Sequence, residues 1–216
     1  MNLVLLGYPG SGKGTQAKAL AAKRGFTHIS TGDLFREEIS KNTDLGTRVK
    51  GYISQGKLVP DGVVLDVIEN RIKTLKGNIL FDGFPRTVEQ AEGLERMLEK
   101  YSMQTDGVLF FEVNEKEVAK RISARRFCAK CGAIYNVLSS PPKTENKCDS
   151  CASPLSTRED DRQEVVLKRI EVYKDLTSPL VSYYRTQGVF HVIDASLGQD
   201  EVYAQIEKAV ESKAGY

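Results

Sequence analysis

Short apolar runs alternate along the chain with longer stretches in which apolar residues recur every three or four positions. The runs at 2–6, 27–29, 79–81, 108–113 and 189–193 have the length and composition of buried strands. Helical periodicity fills 13–24, 31–41, 44–55, 61–75, 87–100, 115–125, 162–175, 178–187 and 199–212. This alternation predicts an α/β fold, a five-stranded parallel sheet with helices on both faces and ligands at the carboxyl ends of the strands. Two stretches interrupt it. Residues 30–60 carry two helices with no strand between them. Residues 127–158 hold every cysteine together with Pro141, Pro142 and Pro154, and show little periodicity. Both read as insertions on a core.

The first strand runs into Gly7-Tyr8-Pro9-Gly10-Ser11-Gly12-Lys13-Gly14-Thr15. Glycines let a backbone curl around an anion, a following helix offers its positive dipole end, and Lys13 adds a full charge. The run reads as a phosphate-binding P-loop, although the hydroxyl expected directly after the lysine arrives one residue late, at Thr15. Asp82, at the end of the apolar run Ile79-Leu80-Phe81, is placed to orient a hydrated Mg²⁺ beside such a loop. Arginines recur at loops and element ends: Arg36, Arg86, Arg121, Arg125, Arg126, Arg158, Arg162 and Arg169. Their planar forks bind phosphate oxygens in pairs and stay protonated, as phosphoryl transfer between two charged substrates requires.

Cys128-x₂-Cys131 and Cys148-x₂-Cys151 are two knuckles separated by sixteen residues. Together they make a tetrahedral thiolate site for zinc, and four sulfurs leave no open position for a catalytic water. Iron fits an S₄ site as well. The two histidines, His28 and His191, read as ordinary core or edge residues.

Charge and composition narrow the class. With 216 residues, 40% hydrophobic and 28% charged, the chain is long enough for one core with insertions. Its 31 basic and 29 acidic residues lack the basic excess of a dedicated nucleic-acid binder. Neither a signal peptide nor a membrane-length apolar run is visible, and the clustered cysteines suit a reducing compartment, so a cytoplasmic protein is expected. The absence of a coiled-coil heptad or other interface signature leads to an expected monomer.

Gly7–Thr15, Ser30-Thr31-Gly32-Asp33, Gly56-Lys57-Leu58-Val59, Asp82-Gly83-Phe84-Pro85-Arg86 with Gln90, Arg125-Arg126, and Thr157-Arg158-Glu159-Asp160-Asp161 together resemble adenylate kinase of the long-lid, zinc-containing bacterial type. The resemblance runs from residue 1 to about 210, and Gly-Lys-Gly-Thr is that family's form of the loop. It implies reversible phosphoryl transfer from Mg-ATP to AMP giving two ADP, in adenine nucleotide homeostasis. By position, Gly10, Ser11, Gly12, Lys13, Gly14 and Thr15 would hold the ATP phosphates. Arg121, Arg125, Ile134, Tyr135 and the backbone at Leu197 would complete the ATP site. Thr31, Arg36, Lys57, Leu58, Val59, Gly83, Phe84, Pro85, Arg86 and Gln90 would bind AMP, with Gln90 on the base. Arg158 and Arg169 would clamp the phosphates of both, and Lys13, Arg86, Arg125, Arg158 and Arg169 would form the catalytic set. Residues 1–29, 60–119 and 159–216 would be the core, 30–59 the AMP-binding insertion and 120–158 the zinc-binding lid.

Two departures from the family pattern stand out. Tyr8 occupies a place where a small residue is usual, so its side chain is expected to point away from the nucleotide. Val137-Leu138-Ser139-Ser140 lacks the aromatic and asparagine often found before the two prolines. A UMP/CMP-type nucleoside monophosphate kinase is a close alternative, against which Thr31 argues by resemblance. A zinc-ribbon nucleic-acid binding module is a remote one that accounts for 127–158 alone.

Overall fold

Asn2–Gly7 (β1) is buried at all six positions, which explains its unbroken apolar reading. The structure, a computed structural model, describes residues 1–75 and 77–214. Residues 76 and 215–216, inside the predicted core segments, lie outside the described residues. After β1 come α1 (Lys13–Arg24), β2 (Thr27–Ser30), α2 (Thr31–Ser40), α3 (Asp44–Ser54), α4 (Asp61–Ile72), β3 (Ile79–Asp82), α5 (Val88–Lys100), β4 (Gly107–Glu112) and α6 (Glu115–Ser123). The chain continues through three short strands, β5 (Arg125–Cys128), β6 (Ile134–Asn136) and β7 (Leu155–Ser156), then α7 (Gln163–Val172), α8 (Pro179–Arg185), β8 (Phe190–Asp194) and α9 (Gln199–Ala214).

Five strands form a wholly parallel sheet in the order β2-β3-β1-β4-β8. Alternate side chains enter different cores. Val4, Leu6, Phe81 and Val108 pack with α4, α5 and α8 on one face, while Leu3, Leu5, Leu80, Leu109 and Phe111 pack with α1 and α9 on the other. Each fully buried aliphatic or phenyl side chain contributes about 1.5–3 kcal/mol of transfer free energy. The sheet therefore holds the carboxyl end of central β1, and the loop that follows it, on a rigid base.

The predicted elements correspond to the observed ones with two physical differences. The helix expected over 115–125 stops at Ser123, and Arg125 opens β5, the middle strand of an antiparallel sheet β6-β5-β7. These strands carry only two to four residues each, too few for an alternating pattern to register. The helices expected at 162–175 and 178–187 are joined by one π-type turn, Tyr173–Thr177. Pro179 has no N–H and its ring crowds the carbonyl four residues back, so the turn before it widens and the Ser178 N–H reaches Tyr173 O at 2.8 Å.

In α3, two glycines face opposite environments. A Cβ on Gly46 would lie 2.2 Å from the Glu38 carbonyl oxygen, whereas one on Gly51 would meet nothing within 4 Å. Gly46→Ala is expected to destabilise the protein by about 1–3 kcal/mol through overpacking. Gly51→Ala is expected to stabilise it by about 0.5–1 kcal/mol through helix propensity. Denaturant unfolding of the two variants checks the opposite signs.

Candidate active site

Between β1 and α1 the backbone turns through Gly10 and Gly12, with φ of +82° and +97°, in the region that favours glycine. At Gly10 space adds to conformation, since a Cβ there would lie 2.4 Å from Ile122 Cγ1. Lys13 folds back over this loop and donates to Gly7 O and Tyr8 O, both at 2.7 Å, and to Ser11 Oγ at 3.2 Å. Loss of hydration pulls its pKa down to about 7; Asp82 opposes this, and Arg86, Arg169 and Arg125 add to it. Gly14, where a P-loop hydroxyl would ordinarily stand, sits against Asp82, whose Oδ2 would be 3.4 Å from a Cβ at that position. Asp82 Oδ2 is also 3.2 Å from His28 Nε2. Tyr8 turns into the cluster of Val118, Ile122, Val166 and Ile170 and packs its ring 4.1 Å from that of Tyr173.

Two cavities open at the carboxyl end of the sheet. The larger, about 620 Å³, is lined by Gly10, Ser11, Gly12, Lys13, Gly14, Thr15, Asp82, Pro85, Arg121, Arg125, Ile134, Tyr135, Arg158 and Leu197. The smaller, about 70 Å³, is lined by Thr31, Lys57, Leu58, Val59, Val64 and Gln90. Gly32, Arg36, Gly56, Leu58, Gly83, Arg86 and Arg169 line both. Phe84 lines neither: it is fully buried against Phe81, and the Phe84–Pro85 bond beside it is cis. The Thr31 hydroxyl donates to Gly83 O at 2.8 Å, tying α2 to the end of β3.

The arginines are held by an interleaved set of acids. Arg125 pairs with Asp161 through both Nε and Nη2. Arg169 Nη1 donates to Asp160 Oδ2 at 2.7 Å, and Arg36 Nη2 to Asp33 Oδ1 at 2.6 Å. Arg158 Nη2 lies 3.9 Å from Asp33 Oδ1, and Arg36 Nη1 lies 4.0 Å from Asp160 Oδ2, so the pairs link α2 to the segment 158–161. Burial, Arg36 and Arg125 push Arg158 down to about 10, against Asp160 and Asp33. Burial also pushes Arg169 down to about 10, with Asp160 opposing and Arg125 and Arg86 reinforcing. Burial would raise Asp160, but Arg169, Arg36, Arg125 and Arg158 together hold it below the usual carboxylate range. Arg158 Nε is buried with no hydrogen-bond partner among the described residues. An arrangement so rich in cations, one of them with an unsatisfied donor, fits a ligand bearing several phosphates.

Sequence reasoning assigned no role to Asp33, Asp61, Asp160 or Asp161. The run Arg158-Glu159-Asp160-Asp161 carries a signal for two of them, since acids beside a predicted phosphate-binding arginine must either pair with it or repel the ligand. Asp61 carries none, because an acid in a first helical turn reads as dipole complementation.

Beyond the cavities, Cys128, Cys131, Cys148 and Cys151 bring their sulfurs within 4.8 Å of one another. The spacings of 3.4 Å for Cys128–Cys151 and Cys131–Cys148 and 3.6 Å for Cys131–Cys151 are close to the edge of about 3.8 Å implied by Zn–S bonds near 2.3 Å. The two knuckles repeat one turn: Gly132 N donates to Cys128 O at 2.9 Å and Ala152 N to Cys148 O at 2.8 Å, with both residues at positive φ. The donor set thus fits a structural zinc, which would supply cross-linking of the two knuckles. From α1, Lys18 Nζ donates to Gly132 O at 2.7 Å, and Tyr135 Oη accepts from Asp149 N at 2.8 Å, so the sulfur cluster is joined to the wall of the larger cavity.

Comparison with known proteins gives a consistent result. The family model described as adenylate kinase matches residues 5–189. The adenylate kinase of Archaeoglobus fulgidus is 46% identical over 214 residues, covering 98% of both chains. That of Clostridium tetani is 43% identical over 212 residues, covering 97% of this chain and 98% of its own. That of Fervidobacterium nodosum is 45% identical over 204 residues, covering 94% of each.

Removing metal from the four sulfurs with a strong chelator is expected to lower Tm by several degrees or more, because among the described residues no hydrophobic core cluster includes a residue of the short strands β5–β7. An unchanged melting curve after metal loss would contradict a stabilising role.

Proposed function

The chain belongs to the adenylate kinase family, and we propose that its larger cavity takes ATP and its smaller one AMP, with the reacting phosphates meeting at the arginines shared between them. The enzyme is an ATP:AMP phosphotransferase that interconverts Mg-ATP and AMP with two ADP. The observation that carries the assignment of the cavities is that Arg36, Arg86 and Arg169 line both of them.

In this reading an oxygen of the AMP phosphate attacks the γ-phosphorus of ATP in line. The new O–P bond forms as the bond to the β,γ-bridging oxygen breaks, and ADP leaves as an anion. The attacking phosphate is already ionised, so the site needs no general base, and catalysis rests on positioning and charge neutralisation. Lys13 exchanges its loop carbonyls for the transferred group, with the rest of Gly10–Thr15 around the ATP phosphates. Arg86 and Arg36 hold the AMP phosphate, while Arg125, Arg158 and Arg169 span the charge that develops between the two nucleotides. The buried, unpaired Nε of Arg158 supports that role. Bound Mg²⁺ would neutralise phosphate charge, and Asp82, a carboxylate in the cavity wall beside Gly14, would hold it through water. Arg121, Ile134, Tyr135 and the Leu197 backbone flank the rest of ATP. Thr31, Lys57, Leu58, Val59 and Gly83 flank AMP, with Gln90 on the base, and Pro85 borders the AMP side from the wall of the larger cavity. Phe84 supports this wall from the core.

Residues 1–29, 60–119 and 159–216 act as the core, 30–59 as the AMP-binding insertion and 120–158 as the lid that keeps water from accepting the phosphoryl group. The enzyme works as a monomer in the cytoplasm without nucleic acid. The sequence carries no coiled-coil heptad, the charge is nearly balanced, and the thiols suit a reducing compartment.

Lys13→Met is expected to lower kcat/KM by about 10²–10³-fold or more, as loss of a cation aimed at the transferred phosphoryl group requires; near-normal turnover would contradict the mechanism. Among AMP, CMP, UMP and GMP as acceptors, AMP is expected to give the highest kcat/KM, and a pyrimidine nucleotide in first place would overturn the acceptor assignment. Proton linkage offers an independent check. With its pKa lowered to about 7, Lys13 is largely neutral above that pH in the free enzyme, and a polyphosphate beside it favours the charged form. ATP binding near pH 8 should therefore take up protons, and ATP affinity should fall as pH rises above 7. Calorimetry in buffers of different ionisation enthalpy measures the uptake, which Lys13→Met should abolish.

A further inference from the structure

Gln90 is 1% exposed, yet its side chain lines the smaller cavity, and both ends of its amide are already engaged by the protein. Nε2 donates to Asp61 Oδ1 at 2.7 Å, and Oε1 accepts from the Arg86 backbone N–H at 2.8 Å. The second carboxylate oxygen of Asp61 accepts from the Thr87 hydroxyl at 3.1 Å, and that hydroxyl accepts from Gln90 N, also at 3.1 Å. The Thr177 hydroxyl donates to Arg86 O at 2.9 Å and holds the backbone of Arg86 from the other side.

The polarity of these partners matters more than their number. A carboxylate only accepts and a backbone N–H only donates. Reversing the Gln90 amide would set its oxygen against the Asp61 carboxylate and its NH₂ against the Arg86 N–H, two repulsive contacts in place of two hydrogen bonds. One amide sense is therefore enforced. An amide has two hydrogens on nitrogen and two lone pairs on oxygen, so each end keeps one position for a ligand, a donor at Nε2 beside an acceptor at Oε1.

That donor–acceptor edge is complementary to adenine, which presents N1 as acceptor and its exocyclic amino group as donor. It is anti-complementary to hypoxanthine and guanine, which present N1–H as donor and O6 as acceptor. We propose that Asp61 is a specificity-determining positioning residue, which selects 6-aminopurine over 6-oxopurine acceptors by fixing the sense of the Gln90 amide. The inference rests on the reading that Gln90 meets the AMP base. Asp61 lies 29 residues from Gln90 in sequence and opens α4, while Gln90 stands in the first turn of α5. The packing of those two helices is what brings the selecting carboxylate to the amide.

The test compares AMP with IMP, whose base differs from adenine in the two groups at this edge. Asp61→Asn keeps the shape of the side chain, and the Thr87 hydroxyl can donate to it or accept from it. An asparagine, however, can present either polarity to Gln90. The Arg86 N–H still opposes the reversed amide, so selectivity is reduced without being abolished. The ratio of kcat/KM for AMP to that for IMP is expected to fall about tenfold or more in Asp61→Asn. Because both values come from one preparation, a partly unfolded variant leaves the ratio intact, and a merely structural role for Asp61 would not move it. Gln90→Leu serves as the control and should collapse the ratio further. A ratio unchanged in Asp61→Asn but collapsed in Gln90→Leu overturns the inference alone. A ratio unchanged in Gln90→Leu overturns the base contact, and the inference with it.

Discussion

Mutual repulsion among cations is the constraint around which this molecule is organised. Lys13, Arg36, Arg86, Arg125, Arg158 and Arg169 all face one cleft, and such a cluster does not assemble unaided in a medium of low dielectric constant. Asp33, Asp82, Asp160 and Asp161 stand among them and compensate part of the charge. The acids are fewer than the cations, so the free site stays positively charged, and burial, opposed by Asp82 and reinforced by Arg86, Arg169 and Arg125, drives Lys13 toward neutrality. In the proposed placement the triphosphate of ATP and the phosphate of AMP supply the missing negative charge, so substrate binding would complete the electrostatic design before any base is read.

Holding this cluster in place requires both rigid and adaptable parts. The parallel sheet is buried on both faces and fixes Gly7, Asp82 and the start of α1. Among the described residues, strands β5–β7 contribute nothing to the buried hydrophobic clusters. They pair over two or three positions and are gathered by four sulfurs. Zinc does there what apolar burial does in the sheet, and four thiolates accomplish it with a handful of residues. Tyr173 and Tyr8 show a third solution, in which an aromatic contact ties the phosphate loop to the π-type turn beyond α7.

The centre of the sheet was legible in the sequence because burial on both faces leaves its strands continuously apolar, as at Leu3–Leu6 and Ile79–Phe81. The phosphate loop, Asp82 and the paired cysteines were legible because their chemistry depends on local spacing. Strands β5–β7 were not, since Ile134–Asn136 is too short and too polar to carry a period. The π-type turn was hidden because a helical pattern drifts little over five residues, and only Pro179 marks its end. Phe84 shows the reverse limit: the side chain of a residue inside a binding motif can serve the core, and its motif gives no sign of it. Asp61 was illegible for a different reason. Its meaning comes from the polarity of a hydrogen-bond network closed by tertiary packing, which no local pattern encodes.

A dinucleoside pentaphosphate, two adenosines joined by five phosphates, tests in a single titration whether two nucleotides lie end to end across one shared set of arginines. One molecule should bind per chain, compete with both ATP and AMP, and be held far more tightly than either. A ligand that displaces ATP while AMP still binds alongside it would rule out the shared arrangement.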